Sequence, residues 1–128
     1  GLGDVYKRQP VTIADKNTEQ RIRDLINKKY PNHGILGEEF EGLNPDNEFI
    51  WVIDPIDGTM SFIAGHKDFG TLIALLKNKK PILGIIYAPV KKETYVGVKR
   101  NTYKIINKKT NIIASLCHKD KRYVVVKY

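Results

Sequence analysis

The 128 residues include only one cysteine, one tryptophan and one methionine. A lone cysteine cannot close an internal disulfide. Cys117-His118 has no second ligand pair at zinc-site spacing, so disulfide scaffolds and zinc modules are excluded. That cysteine usage suits a reducing compartment and a cytoplasmic location. No apolar run is longer than about eight residues, far below the ~20 that a membrane-spanning helix requires. No internal repeat or low-complexity tract is present. With 41% hydrophobic and 28% charged residues, composition is that of an ordinary globular chain. The length allows one domain at most.

Acidic residues are scarce at one end. Lys+Arg 22 against Asp+Glu 14 gives +8. Residues 1–98 carry thirteen basic and thirteen acidic side chains, whereas residues 99–128 carry nine basic and one acidic, Asp120. The whole excess therefore belongs to the last thirty residues, and whatever chemistry precedes them works with balanced charge.

The opening nine residues, GLGDVYKRQ, have neither apolar periodicity nor the core of a signal peptide. They read as a non-native leader of the translated-adapter kind. Asp15 or Asn17 is placed to cap a helix whose apolar positions Ile22, Leu25 and Ile26 follow at i, i+3, i+4, with Lys28 and Lys29 in its last turn and Tyr30-Pro31 as the stop. Ile35-Leu36 is a short extended piece before Gly37-Glu38-Glu39. Phe49 to Ile53 reads as a strand buried on both faces, ended by Asp54-Pro55. Thr59 to Ala64 forms a short helix closed by Gly65. Phe69–Leu76, Pro81–Ala88 and Thr94–Val98 are strands of an antiparallel meander, the first two joined by the turn Lys77 to Lys80. Tyr103–Ile106 and Ile112–Leu116 are weaker strand candidates, and Tyr123–Val126 is β-prone enough to be an aggregation hazard if exposed. The order predicts an α/β (α+β layered) fold with a helix packed on a mainly antiparallel sheet.

Chemistry concentrates in the acidic segments. Glu38-Glu39 lies in a glycine-started loop, and Asp54-Pro55-Ile56-Asp57-Gly58-Thr59 follows at the end of the apolar strand. Carboxylates there are costly to desolvate without a positive partner, and a hard divalent cation is one. A bend at Pro55 allows Asp54, Asp57 and the Ile56 carbonyl to converge. Gly58 allows close backbone approach, and the Gly58 and Thr59 amides can meet a phosphate oxygen. Bridging metals would activate a water, which Thr59 and Glu38 could position and deprotonate. The hexapeptide alone could equally be a turn in which Asp57 caps the next helix, and Glu38-Glu39 alone a solvated acidic loop. Together, flanking a buried strand, they favour metal.

Gly37-Glu38-Glu39 followed by Trp51-Val52-Ile53-Asp54-Pro55-Ile56-Asp57-Gly58-Thr59 resembles the first signature of the inositol monophosphatase family of magnesium-dependent, lithium-sensitive phosphatases. Val11-Thr12-Ile13-Ala14-Asp15 resembles the family's upstream segment. Ser61 to Gly65 and Phe69 to Leu75 look most like its histidinol-phosphate phosphatase branch. The likeness runs from about Pro10 to Gly97 and fades by about Ile112. It implies the layered sugar-phosphatase-like fold, two or three Mg²⁺ ions, and hydrolysis of a small phosphate monoester. The substrate it suggests first is L-histidinol phosphate, yielding histidinol, and next inositol 1-phosphate. Carried over by position, Glu38, Asp54 and the Ile56 carbonyl would bind the first metal, and Asp54 and Asp57 the second. Asp15 would act through water at the outer shell. Thr59 and Glu38 would be catalytic, and Gly58 and Thr59 would hold phosphate. Met60 stands where that branch usually carries a basic residue. The family's second signature, a Trp-Asp segment supplying a further aspartate, is absent, since the one tryptophan is Trp51. The expectation is an N-terminal fragment: residues 10–112 the first part of the family domain, 113–128 a basic tail that departs from it. The full-length enzyme is expected without nucleic-acid or membrane partners, with a homodimer as one arrangement.

The rival class is a nucleic-acid-binding module built on Lys99-Arg100, Lys104, Lys108-Lys109, Lys119, Lys121-Arg122 and Lys127, interleaved with Tyr103 and Tyr123. A charge run is more often a solvated face, and no module signature accompanies it. His33 and His66 read as exposed loop histidines, Trp51 and Phe49 as core, and Tyr87, Tyr95 and Tyr103 as strand surface.

Overall fold

The computed structural model describes the backbone of residues 2–115 and the side chains of residues 13–111. A first helix, α1 (Leu2–Lys29), precedes β1 (Gly34–Gly37) and β2 (Phe49–Asp57). A five-residue helix, α2 (Thr59–Ile63), leads into β3 (Gly70–Lys77), β4 (Lys80–Ala88), β5 (Glu93–Val98), β6 (Asn101–Ile106) and β7 (Lys109–Ser115). The seven strands form one sheet in sequential order. Only β1 and β2 run parallel, with Ile35 beside Trp51 and Gly37 beside Ile53; every later pair is antiparallel. This is the expected helix on a mainly antiparallel sheet. Among the described residues no helix is long and apolar enough to cross a membrane.

Local chemistry accounts for the meander. Asn78 and Lys79, Lys99 and Arg100, and Asn107 and Lys108 are three consecutive pairs with positive φ, each joining two strands. Two central residues at φ > 0 make the primed two-residue turn whose twist matches a hairpin. Asparagine at the first position of two of them lowers the cost, because it tolerates the left-handed region. The basic residues of these turns divide between opposite ends of the sheet: Lys79, Lys99 and Arg100 at one, Lys108 at the other. Lys104 reaches Glu93 at 3.5 Å.

Helix α1 spans the presumptive cap positions. Asp15 and Asn17 lie inside it, so neither is its N-cap. Asp15, Glu19, Ile22, Arg23 and Ile26 recur at three- and four-residue spacing and so share one helix face. That face carries two chemistries. Its C-terminal end is apolar, and Ile26 joins Ile35 and Ile53 in the core, with Ile22 and Trp51 packed against them. Its N-terminal end is polar yet buried, with Asp15, Glu19 and Arg23 all inside. Leu25, expected on the core stripe, is instead 68% exposed, because Ile22, Arg23 and Ile26 define the inward direction.

Strand β2 departs from expectation twice. It continues through Asp54-Pro55 to Asp57. Its second face is covered only in part: Ile53 is 1% exposed on one face, and on the other Ile50 is 5% exposed, whereas Val52 at 38% and its β1 neighbour Leu36 at 36% are open. Helix α1 covers one face of these strands, and the described residues put no layer on Val52. His33 is half-buried, not an exposed loop histidine. Its Nδ1 accepts from the Trp51 indole at 3.0 Å, and its ring stacks between Tyr30 (4.8 Å) and Phe49 (4.9 Å). Tyr123–Val126, Cys117-His118 and the basic residues of 119–127 lie outside the described residues.

Candidate active site

The end of β2 solves a parity problem. Residues three apart on a regular strand point to opposite faces. Here Asp54 pairs with Leu72 and Asp57 with Gly70, so three steps on β2 match two on β3. The extra residue is a β-bulge, and it returns Asp54 and Asp57 to the same face. The proline that seemed to end the strand is what the bulge accommodates, since Pro55 has no amide to give the ladder. Pro55 is fully buried, and its carbonyl accepts the Thr71 hydroxyl at 2.9 Å.

Beyond the bulge the chain turns sharply. Gly58 adopts φ 79°, ψ 43°, in the left-handed region, and a Cβ there would lie 2.7 Å from the Asp68 carbonyl oxygen. Both conditions call for glycine. The Thr59 hydroxyl donates to the Ile56 carbonyl at 3.2 Å. The first backbone bond of α2 runs from the Phe62 amide to the Gly58 carbonyl, so the amides that open the helix have no partner within it.

The Gly37-Glu38-Glu39 loop is held from α1. The Glu19 carboxylate, wholly buried, accepts the Glu39 amide at 3.1 Å and the Phe40 amide at 3.0 Å. Arg23 Nε donates to the same carboxylate at 3.1 Å, and Arg23 Nη2 to the Phe40 carbonyl at 3.1 Å. Neither Glu19 nor Arg23 stands out in the sequence, where they read as one more i, i+4 pair on a helix surface.

Electrostatics ties the two acidic segments to α1. Burial pushes the Asp15 carboxyl up to about 6, reinforced by the charges of Glu39, Asp54 and Glu19. Burial likewise pushes Asp54 up to about 6, with Glu38 and Asp57 adding to the shift and a hydrogen bond from the Ile56 backbone opposing it. Glu38 is raised by the partial desolvation of its loop, then by Asp15, Glu39, Glu19 and Asp57. Asp15, Glu38, Asp54 and Asp57 thus lie in one field of like charge, as the sequence suggests. Asp15 Oδ1 and Asp54 Oδ1 are buried without a hydrogen-bond partner. Buried, unpaired carboxylate oxygens repelling one another are what a hard divalent cation stabilises, so the donor set fits one. Among the described residues, no three His, Cys, Asp or Glu side chains already stand at the spacing of a closed cation cage. The carboxylates share a field without meeting at a point.

Comparison with known proteins gives this arrangement a context. A model of the inositol monophosphatase family matches residues 3–126. The chloroplastic bifunctional phosphatase IMPL2 of Arabidopsis thaliana is 48% identical over 91 residues, which cover 70% of this chain and 26% of that protein. The histidinol-phosphatase of Chlorobaculum parvum is 46% identical over 86 residues, covering 67% of this chain and 33% of the relative. The solved structure of inositol monophosphatase from Anabaena (Nostoc) superimposes with a TM-score of 0.69 at 38% identity, over 73% of this chain and 38% of that one. The chain therefore spans about a third or less of the length of these curated relatives. The motif, the fold and the family model agree: this chain belongs to the inositol monophosphatase family.

Proposed function

We propose that this chain carries the metal- and phosphate-binding part of a phosphoric monoester hydrolase. One observation supports this above others. Two buried carboxylate oxygens, on Asp15 and Asp54, have no partner and lie in a like-charge field beside a glycine turn. In this reading Glu38, Asp54 and the Ile56 carbonyl hold one Mg²⁺, Asp54 and Asp57 contribute to a second, and Asp15 acts through water. Bound Mg²⁺ supplies Lewis-acid stabilisation of charge on the phosphoryl oxygens and makes water more acidic.

The chain's own residues do the rest. The Thr59 hydroxyl commits its proton to the Ile56 carbonyl, which leaves its oxygen lone pairs to accept from an attacking water and orient it. Glu38 takes the water's proton. The Gly58 and Thr59 amides hold a phosphate oxygen at the turn. The water oxygen bonds to phosphorus as the ester P–O bond breaks, and the leaving alkoxide takes a proton from solvent water, giving an alcohol and inorganic phosphate.

The preferred substrate is L-histidinol phosphate. Support comes from the 46% identity to a protein named histidinol-phosphatase. Inositol 1-phosphate is the second reading, supported by the likeness to the Anabaena inositol monophosphatase. In this reading Met60, 78% exposed directly after Thr59, would meet the organic part of either. A cytoplasmic location and a homodimer of the longer polypeptide belong to the same proposal.

Phosphate release tests it. The chain is assayed as it stands and also continued through the remaining length of a family relative, with Mg²⁺, on both substrates. The continued protein is expected to turn over histidinol phosphate faster than inositol 1-phosphate and to lose activity on Asp54→Asn. A continued protein that is folded but inactive on every small phosphate monoester overturns the reading.

A further inference from the structure

Glu19 is the most deeply buried acid described, yet nothing in the proposed chemistry uses it. It lies on α1 rather than in either acidic motif, and its carboxylate is 0% exposed. A buried carboxylate is tolerated when both of its oxygens accept hydrogen bonds. Glu19 meets that condition with three donors: the amides of Glu39 and Phe40 and Arg23 Nε. Arg23 also spends its Nη2 on the Phe40 carbonyl. Two side chains one helical turn apart therefore grip the backbone of the two residues that follow Glu38, Glu39 and Phe40. Gly37 closes the other side, because any Cβ there would overlap the Glu19 carboxylate. The Glu38 backbone is fixed from both flanks by one group, while its own side chain stays at the surface, facing Asp15 and Asp57 electrostatically.

We propose that Glu19, braced by Arg23, is a positioning residue for the metal site, setting the direction in which Glu38 presents its carboxylate to a divalent cation. The inference rests on the metal-centre reading above. It assigns Glu19 no contact with metal or substrate.

Glu19→Gln keeps the size but offers one acceptor oxygen and turns an NH₂ toward a donor, so one of the three bonds becomes a repulsion. Magnesium affinity of the 128-residue chain is measured by calorimetry, alongside amide exchange at Glu39 and Phe40 and thermal melting. Wild type is expected to bind Mg²⁺ and to lose that binding on Asp54→Asn. Glu19→Gln is expected to weaken Mg²⁺ binding by about tenfold or more, the scale of lost outer partners, and to speed exchange at Glu39 and Phe40. Ile26→Val, a core substitution away from the loop, serves as the control for general loosening: it lowers the melting temperature and leaves Mg²⁺ affinity unchanged. If Glu19→Gln shows no cooperative melting, Arg23→Lys replaces it, since lysine keeps the charge but cannot donate at both places; the same tenfold loss is expected. Unchanged affinity in the folded variant, or an equal loss in Ile26→Val, overturns the positioning role alone. Wild type without Asp54-dependent Mg²⁺ binding overturns the metal-centre reading and this inference with it.

Discussion

The Glu19 carboxylate occupies the space in which a Cβ of residue 37 would stand. The Gly-Glu-Glu sequence therefore needs its glycine because of a side chain eighteen residues earlier, not because of its own backbone angles; no positive φ is found at Gly37. Gly37→Ala must displace a carboxylate that three donors hold in place. The expected cost is about 1–3 kcal/mol, the range of overpacking a filled site, measured as a lower urea midpoint at unchanged slope. The double substitution Gly37→Ala with Glu19→Ala should recover part of that loss, because the clash disappears with the side chain.

Gly58→Ala meets a different obstacle. The left-handed backbone and the Asp68 carbonyl at 2.7 Å both oppose a Cβ. Left-handed strain alone costs a non-glycine residue about 1–2 kcal/mol. Destabilisation of at least that size by equilibrium unfolding is the expected outcome. A neutral or stabilising Gly58→Ala would show that the turn has another conformation.

The raised carboxyls predict a direction for stability against pH. Asp15 and Asp54 have folded pKa values of about 6, above the unfolded value of 3.8. The native state thus holds protons more tightly than the unfolded state, and stability falls as pH rises between about 4 and 6. In chelator, the melting temperature should be higher at pH 5 than at pH 7.5. Mg²⁺ should raise it more at pH 7.5 than at pH 5. A melting temperature that climbs over the same interval in chelator would refute the charge crowding.

Asp54→Asn separates function from stability. It removes one negative charge from the crowded field, so at pH 7.5 without divalent cation the variant should unfold no more easily than wild type. It should also bind Mg²⁺ far more weakly. Clear destabilisation at that pH, seen by calorimetric melting, would mean that the hydrogen bond from the Ile56 backbone outweighs the repulsion from Glu38 and Asp57.

Trp51 and His33 offer an optical check on the other end of the core. The indole N–H reaches His33 Nδ1, and the imidazole stacks between Tyr30 and Phe49. His33→Phe preserves a ring for stacking but leaves the partly buried indole without its acceptor. A loss of about 1–3 kcal/mol is expected, with a shift in the emission of the one tryptophan. Unaltered emission would place the indole outside this contact.

Much of this molecule is legible in one dimension. The strands from β3 to β6 follow from local alternation and from turn residues that act on their immediate neighbours. The acidic hexapeptide is equally plain, because it sits at the end of the apolar run Phe49–Ile53. The failures have a common physical origin. Asp15 and Asn17 look like helix caps, since capping signals are local; in the fold Asp15 turns inward on a longer helix. Phe49–Ile53 looks buried along both sides, since an apolar run does not say how far each layer reaches; Ile50 is covered on the second side, but Val52 is open. Pro55 looks like a strand end, since pairing partners lie outside the reading window; opposite Leu72 and Gly70 it marks a bulge.

The sequence by itself determined which donors are present and in what order, the balanced charge of the first 98 residues, and the hairpin succession. Those depend on residue chemistry and contacts between neighbours. Tertiary structure decided how Asp54 and Asp57 come to share a face, through a bulge rather than a strand end, how Asp15 reaches their field from inside a helix, and that Glu19 and Arg23 grip the loop bearing Glu38. Each of these depends on the register of a partner strand or the approach of a distant backbone, and a carboxylate's role is set by what it is buried against.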